Sequence, residues 1–305
     1  MFSIGDYVKR PDLQKMVALK TLNQQELILL QKSILDIYKD VLYVCEKYNF
    51  KVMMFGGSAI GAIRHKGFIP WDDDMDMLVS RKEYYPFLES FYKEFGDKYY
   101  IVSPFDITHY KDYCIHIIRK DMTLISLFDL SSIYPNGVAL DICTYENVPN
   151  NVILRALHGF VSNSLLFISN SIRMLSCRNK NSDTFFYLTT KSRIMYSFRL
   201  LIGKLFSFKS HASWCRYLDK WISLFNKKKS KYVTVPTGSL HYWGEMFSSE
   251  VFYPAQECVF DGIRAFVPNK VDEYLKSRYG EDYMFIPPVE KREVHAVIEF
   301  KKSDN

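Results

Sequence analysis

Apolar side chains recur at helical spacing near the start of the chain. Between residues 24 and 48 they lie three or four positions apart, as Leu27, Leu30, Ile34, Ile37, Val41, Val44 and Tyr48. This period places them on one face of an α-helix. We therefore expect an amphipathic helix that ends near Asn49.

Shorter apolar runs follow this helix. Residues 51–55, 75–79, 99–102, 114–119 and 137–143 have the length and composition of strands, whereas 58–64 and 81–95 are predicted helices. The first strand stops at Gly56-Gly57-Ser58, which predicts a tight turn. Helices and strands that share a single sheet define the α+β class.

A basic segment interrupts this pattern. Residues 151–231 hold 15 Lys or Arg against Asp183 and Asp219, a net charge of +13, whereas the rest of the chain has a net charge of −7. Aromatic and aliphatic residues recur there at helical intervals and predict two to four helices. We therefore divide the chain into a catalytic core (1–150), a basic aromatic-rich helical insert (151–231) and a C-terminal part (232–305) that completes the catalytic unit.

The C-terminal part has its own pattern. Residues 251–267 are predicted to form strands and turns, and 272–279 a short helix that Gly280 ends.

Composition excludes several classes of protein. A chain of 305 residues that is 48% hydrophobic and 24% charged can bury a core, so it is not wholly disordered. Residues 1–20 lack the apolar segment of a secretory signal. The longest uncharged run of the insert, between Arg155 and Arg173, is short and polar for a membrane span. Six scattered cysteines without a Cys-x-x-Cys pair predict six reduced thiols with structural roles, in the cytoplasm.

Four carboxylates lie close together just before a predicted strand. Asp72, Asp73, Asp74 and Asp76 occupy five consecutive positions, and an extended backbone would put Asp74 and Asp76 on one face with Met75 and Met77 in the core. Paired carboxylates suit Mg²⁺ or Mn²⁺. The Gly56-Gly57-Ser58 turn ahead of a helix offers N–H groups and a hydroxyl to a phosphate. Together they predict metal-assisted phosphoryl transfer, although an acidic run alone is more often a solvated loop.

A third acid is expected at a site with two metal ions. Asp141 is our candidate, because it is a single acid within an apolar, strand-like run and is costly to bury without a partner. Four other acids lie in more polar surroundings: Asp106, Asp112, Asp121 and Asp129.

The sequence around these acids resembles the LicD family, which includes bacterial phosphocholine transferases and the animal fukutin-related proteins. The matching residues are Gly56-Gly57-Ser58, the run from Gly61 to Asp76, Arg81 to Tyr84, and Asp141-Ile142. Further matches are Phe260-Asp261-Gly262, Val267-Pro268, Tyr274-Leu275, Arg278-Tyr279-Gly280, Pro287-Pro288, Arg292 and His295. The likeness covers residues from about 20 to 145 and 240 to 296 and leaves out the insert.

The resemblance implies a nucleotidyltransferase-like mixed sheet flanked by helices. It further implies transfer of phosphocholine or a polyol phosphate from a CDP-activated donor, such as CDP-choline, to a glycan hydroxyl, with release of CMP. Asp74, Asp76 and Asp141 would be the catalytic and metal-binding residues. The expected donor-binding residues are Gly56, Gly57, Ser58, Arg64, His65, Lys66, Asp73, Arg292 and His295, although Arg64 is equally well explained as a solvated cation and His295 as a surface residue. Departures from the family are Ser58-Ala59 for Thr-Leu, and Cys143-Thr144 for Phe-Pro.

Two other functions remain open at this point. A true nucleotidyltransferase would release pyrophosphate and leave the nucleotide on its acceptor. A non-enzymatic protein would bind a membrane surface, or RNA, equally well without Asp74 and Asp76.

Three interpretations of the insert also remain open. Basic residues among Leu, Phe, Ile and Trp are typical of helices that lie on an anionic membrane, which would suit a lipid-linked glycan acceptor of lipopolysaccharide, teichoic acid or capsule. The chain would then be peripheral at the inner face of the membrane. Alternatively, the insert packs on the core with a basic solvent face, or it binds nucleic acid, which is the least favoured interpretation.

Overall fold

The computed structural model describes residues 20–103, 113–126, 135–292 and 297–302. His295 and the rival acids Asp106, Asp112 and Asp129 lie outside the described residues.

A mixed sheet of seven strands forms the centre of the molecule. Its main path runs β1 (Met53–Met54), β2 (Asp76–Ser80), β6 (Ala139–Asn147), β4 (Ile115–Arg119) and β3 (Tyr99–Val102). β2 and β6 are parallel, and the other pairs along this path are antiparallel. β7 (Tyr232–Thr234) pairs with the end of β6, and β8 (Met246–Ser248) pairs with β7.

Two small antiparallel ladders lie outside this sheet. β5 (Met122–Ser126) pairs with β11 (Val297–Lys302), and β9 (Gln256–Phe260) pairs with β10 (Ile263–Val267). The sequence patterns did not predict β5, β7, β8 and β11, because three- to six-residue strands with few strictly alternating positions carry little periodic signal.

Helices cover the sheet. α1 (Gln24–Tyr48) begins with a capping box at Asn23, ends at a left-handed Asn49, and buries Leu30, Ile34, Ile37 and Val41. α3 (Arg81–Phe95) begins at the cap Ser80 and packs against α1. α10 is Val271–Tyr279, and the short helices α8 and α9 are His241–Gly244 and Ser249–Phe252.

The predicted tight turn at Gly56-Gly57-Ser58 is wrong in one respect. These residues form the first turn of α2 (Gly56–Ile60), which continues as a single π-helical turn over Gly61–His65. Gly56 makes the corner with a φ of +56°. Gly61 allows a close approach, since a Cβ there would lie 2.6 Å from the carbonyl oxygen of Gly67.

The basic insert is helical, as the pattern predicted. It contains α4 (Val152–Ser176), α5 (Lys180–Phe186), α6 (Thr190–Leu205) and α7 (His211–Ile222), followed by a 3₁₀ turn at Ser223–Phe225. The chain leaves the sheet after β6 and returns at β7, which pairs with β6. The insert is therefore a helical segment between two paired strands of the central sheet.

Contacts attach the insert to the rest of the protein. Asp219 of α7 forms an ion pair with Arg81 at 2.8 Å, and Arg81 also binds the fully buried Glu146 of β6. His158 of α4 is buried and hydrogen-bonds the carbonyl of Trp221 at 2.9 Å and the hydroxyl of Tyr242 at 3.0 Å. Among the described residues, α4 alone is long and apolar enough to cross a membrane by length and composition. Those two properties are shared with core helices, and α4 packs against α6 and α7.

The mixed sheet flanked by helices confirms the expected fold class. One expectation about the cysteines is wrong. Cys114 and Cys143 form a disulfide, whereas Cys45, Cys177, Cys215 and Cys258 are free thiols. Cys114 immediately precedes β4 and Cys143 lies on β6, and these strands are neighbours in the sheet, so tertiary pairing brings the two sulfurs together.

Candidate functional site

Two of the predicted acids lie side by side on adjacent strands. Asp76 begins β2 and is the register partner of Asp141 in the parallel strand β6. Adjacent strands lie about 4.8 Å apart, so both carboxylates start from neighbouring backbone positions. Met75 and Met77 are buried on the opposite side, as the alternation predicted. The sheet therefore presents Asp76 and Asp141 side by side.

A buried histidine, which the sequence did not reveal, holds Asp141. His116 of β4 is the register partner of Asp141, and its Nδ1 lies 2.6 Å from Asp141 Oδ1. The His116 side chain is 4% exposed, whereas that of Asp141 is 37% exposed. The bond fixes one carboxylate oxygen and leaves the carboxyl group accessible from solvent. A polar residue at the third position of the predicted strand 114–119 was the available signal.

The glycine-rich segment is tied to the acidic strand. Ser58 is buried, and its Oγ accepts a hydrogen bond from the Asp76 N–H at 3.0 Å. The Gly56 N–H donates to the Tyr274 hydroxyl at 3.0 Å. Burial raises the pKa of Tyr274 well above its ordinary value, so this phenol stays protonated. The beginning of α2 is thus positioned against β2 by Ser58 and against α10 by Tyr274.

A cavity of about 680 Å³ opens beside these strands. Six predicted site residues line it: Gly56, Gly57, Arg64, Asp74, Asp76 and Arg292. Ser58, His65, Lys66, Asp73 and Asp141 are not in its wall, although Asp141 is beside Asp76. Four acids (Asp72, Asp74, Asp76, Asp282) and four cations (Arg64, Arg278, Lys291, Arg292) share the lining. This mixture suits a ligand that carries a diphosphate together with a cation.

Arg64 connects the cavity to the C-terminal segment. Its Nη1 donates to the carbonyls of Tyr283 at 2.7 Å and Phe285 at 3.0 Å, and its Nε lies 2.9 Å from His65 Nε2. Burial lowers the pKa of His65, and the adjacent Arg64 charge lowers it further. His65 therefore favours its neutral form. Arg64 therefore holds the 283–285 segment in place. Lys66 is exposed, and its backbone is in the left-handed region with a φ of 58°.

Trp71 and Arg292 form a second connection. The Arg292 guanidinium lies 4.0 Å from the centre of the Trp71 ring, a cation–π contact, and its Nε donates to the Pro287 carbonyl at 3.2 Å. Trp71 also meets His65 edge to face, with ring centres 6.2 Å apart.

Sequence reasoning missed Arg278 as a site residue. Its guanidinium lies 4.8 Å from the centre of the Phe55 ring, donates to Ser239 Oγ at 2.8 Å and forms a close ion pair with Glu245. The side chain of Glu245 is fully buried, and that of Arg278 is 9% exposed. Glu245 therefore holds a cation at the cavity wall. Arg278-Tyr279-Gly280 matched the family pattern, but nothing local indicated this pairing.

The donor chemistry of the carboxylates suits a hard divalent cation. Mg²⁺ takes oxygen ligands and is usually held by one or two carboxylates together with substrate phosphates. Within the described ranges no three His, Cys, Asp or Glu side chains are already grouped to hold an ion. Asp74 and Asp76 in the cavity wall fit such a partial ligand set, and metal binding stays a prediction.

Comparisons with known proteins bear on this region. Residues 49–155 match the family model described as LicD/FKTN/FKRP, nucleotidyltransferase domain. This match confirms the resemblance, and the matched residues include Asp74, Asp76, His116 and Asp141.

Individual relatives extend the comparison. The chain is 28% identical over 287 residues to the lipopolysaccharide cholinephosphotransferase LicD of Haemophilus influenzae, which covers 92% of this chain and 97% of that protein. It is also 35% identical over 51 residues to an uncharacterized protein of Rickettsia prowazekii, covering 17% of this chain and 19% of that protein.

Proposed function

We propose that this protein transfers phosphocholine from CDP-choline to a hydroxyl of a cell-surface glycan, in lipopolysaccharide or its lipid-linked precursor, with release of CMP. The observation that carries the proposal is the placement of Asp76 and Asp141 on adjacent strands beside a cavity with four acids and four cations. Similarity to a lipopolysaccharide cholinephosphotransferase along almost the whole chain supports the choice of group and acceptor.

The reaction is an in-line displacement at phosphorus. The acceptor oxygen forms a bond to the phosphorus of the phosphocholine group, the bond from that phosphorus to the CMP oxygen breaks, and CMP leaves with the electron pair. Asp141 takes the proton of the acceptor hydroxyl, since His116 orients its carboxylate. Arg278 and Arg292 lie at the cavity wall, where they offset charge on the diphosphate.

A divalent cation completes this assignment. Asp74 and Asp76 would hold Mg²⁺ or Mn²⁺, with Asp141 as the third candidate ligand, and the bound ion would neutralise the diphosphate. Gly57 lines the cavity, where its N–H would contact a donor phosphate, whereas the Gly56 N–H is already bonded to the Tyr274 hydroxyl. We further propose that the protein works peripherally at the inner face of the membrane, where a lipid-linked acceptor is accessible.

The test is a panel of CDP-choline, CDP-ribitol and CDP-glycerol with glycan acceptor and Mg²⁺, scored for CMP and for pyrophosphate. We expect CMP from CDP-choline and loss of turnover with a chelator. Pyrophosphate with nucleotide left on the acceptor would instead indicate a true nucleotidyltransferase.

The variant Asp76→Asn tests the site. It should abolish CMP release with little change in melting temperature, because one carboxylate oxygen is exchanged for an isosteric amide. The matched control is Asp36→Asn on α1, whose carboxylate is half exposed, and it should retain turnover. Full activity in Asp76→Asn would refute the assignment.

A further inference from the structure

The insert carries an exposed apolar stripe on α6. Its members are Ile194, Phe198, Leu201, Leu205 and, just past the helix end, Phe208. They follow a four-three-four-three spacing, which aligns them along one side of the helix. Their exposed fractions are 63%, 49%, 53%, 60% and 70%. Phe198 also contacts Phe167 of α4, with ring centres 6.1 Å apart.

The other side of α6 makes the packing contacts. Tyr196 and Gly203 are buried, and a Cβ at Gly203 would come within 2.5 Å of the Ser171 carbonyl oxygen of α4. Tyr196 donates to Asp183 at 2.7 Å. Because α6 is packed through Tyr196 and Gly203, the stripe faces away from the protein.

The apolar surface continues onto α4. Ile153, Leu157 and Phe160 are exposed by 76%, 54% and 70%, and they are also spaced by four and three residues. A groove of about 510 Å³ joins the two helices, and its wall includes Phe160, Ile202, Phe206 and Trp243. We define the insert face as the stripe on α6, the groove, and Ile153, Leu157 and Phe160. A contiguous apolar surface of this kind on a globular protein marks an interaction site.

Positive charge surrounds the insert face. Arg193, Lys204 and Lys209 are exposed beside the stripe. The two acids of the insert do not offset this charge, since Asp183 pairs with Arg178 at 2.8 Å and Asp219 pairs with Arg81 of the core at 2.8 Å. The face is therefore apolar with a cationic margin, the composition of helices that lie in the surface of an anionic bilayer.

We propose that the insert face binds the surface of an anionic membrane. The stripe enters the boundary between headgroups and acyl chains, and the lysines and arginines contact lipid phosphates. Nucleic acid fits less well, because three of the five stripe residues, Ile194, Leu201 and Leu205, are aliphatic and offer no ring for a base to stack on. A second copy fits less well, because two inserts of net charge +13 repel each other. The biological meaning of this site, access to a lipid-linked acceptor, rests on the proposed function.

The experiment is co-sedimentation of the full chain with vesicles of phosphatidylcholine alone or mixed with phosphatidylglycerol. We expect binding to the mixed vesicles that weakens with added salt. Leu201→Gln with Leu205→Gln should lower the partition coefficient at least about tenfold. Lys204→Gln with Lys209→Gln should lower it about thirtyfold.

Matched controls carry the same changes elsewhere. Ile28→Gln with Leu29→Gln alters two exposed apolar residues of α1, and Lys39→Gln with Lys93→Gln removes two cations outside the insert. Both control pairs should bind as the wild type does. Because all substituted side chains are solvent-accessible, circular dichroism should show unchanged folding.

Three results would overturn the proposal. These are absence of wild-type binding to anionic vesicles, equal binding by the insert and control variants, or binding only to RNA or to a second copy in gel filtration. CMP release with a water-soluble acceptor is measured in the same preparations. If the wild type binds anionic vesicles but releases no CMP, the result counts against the proposed function and still supports the membrane site.

Discussion

The ion pair between Arg278 and Glu245 makes a sharp test of how the cavity wall is built. Substitution Arg278→Met removes the guanidinium and leaves a carboxylate that is fully buried. In this variant Glu245 Oε1 would accept a hydrogen bond only from the Leu240 N–H, at 3.3 Å. Glu245 Oε2 has no hydrogen-bond partner among the described residues even in the wild type. Breaking a buried pair from one side costs about 3–5 kcal/mol, because the remaining charge is uncompensated. We expect Arg278→Met to lower the free energy of unfolding by that amount.

The reverse change should cost less. In Glu245→Gln the remaining guanidinium is 9% exposed at the edge of a cavity and keeps Ser239 Oγ as a partner. A loss of about 1–3 kcal/mol is expected, the usual range for a disrupted buried hydrogen bond. The double variant removes both charges, so its free energy of unfolding should lie within about 2 kcal/mol of the wild type.

Urea unfolding followed by fluorescence and circular dichroism measures these free energies, and coincident curves would justify a two-state treatment. If the double variant loses the sum of the two single losses, the two groups are not coupled and the reasoning is refuted. A loss below about 1 kcal/mol in Arg278→Met would also refute it. The double variant also separates donor binding from folding. If its stability is close to that of the wild type but its KM for the donor is higher, Arg278 contacts the donor.

Two further predictions concern the insert and the cysteines. Burial lowers the pKa of His158, against the opposing effect of its bond to Trp221, so unfolding takes up a proton. The contribution of His158 to stability should be fully present above the ordinary histidine pKa of 6.5 and should be lost as the pH falls through the lowered pKa of the folded state. The melting temperature of His158→Gln should therefore depend less on pH than that of the wild type. The same pH dependence in both proteins would contradict this. Thiol titration of the denatured, non-reduced protein should find four reactive cysteines, because Cys114 and Cys143 are joined, and a count of six would show that the disulfide is absent.

Local patterns were enough to predict much of the fold. The apolar spacing of residues 24–48 predicted α1, since a helix has a fixed period and needs no information from distant residues. Alternation around Met75 and Met77 predicted that these two side chains are buried, and charge segregation located the helical insert. The acidic run and the glycine-rich turn identified the region of the cavity because both signals lie within one short segment.

Long-range pairing decided the rest. Asp141 meets Asp76 and His116 because three strands that are far apart in sequence share one register in the sheet, and a shift of one residue would turn these side chains to the other face. Arg278 and Glu245 lie 33 residues apart, and each alone has the pattern of an ordinary surface charge.

The insert shows the same division. Its sequence determined that α6 is a helix with both apolar and basic residues. Only the packing of Gly203 against α4 decided which side is covered and left the stripe from Ile194 to Phe208 in solvent. A helical period fixes which residues share a face, whereas the neighbour that covers a face is set by contacts between distant parts of the chain.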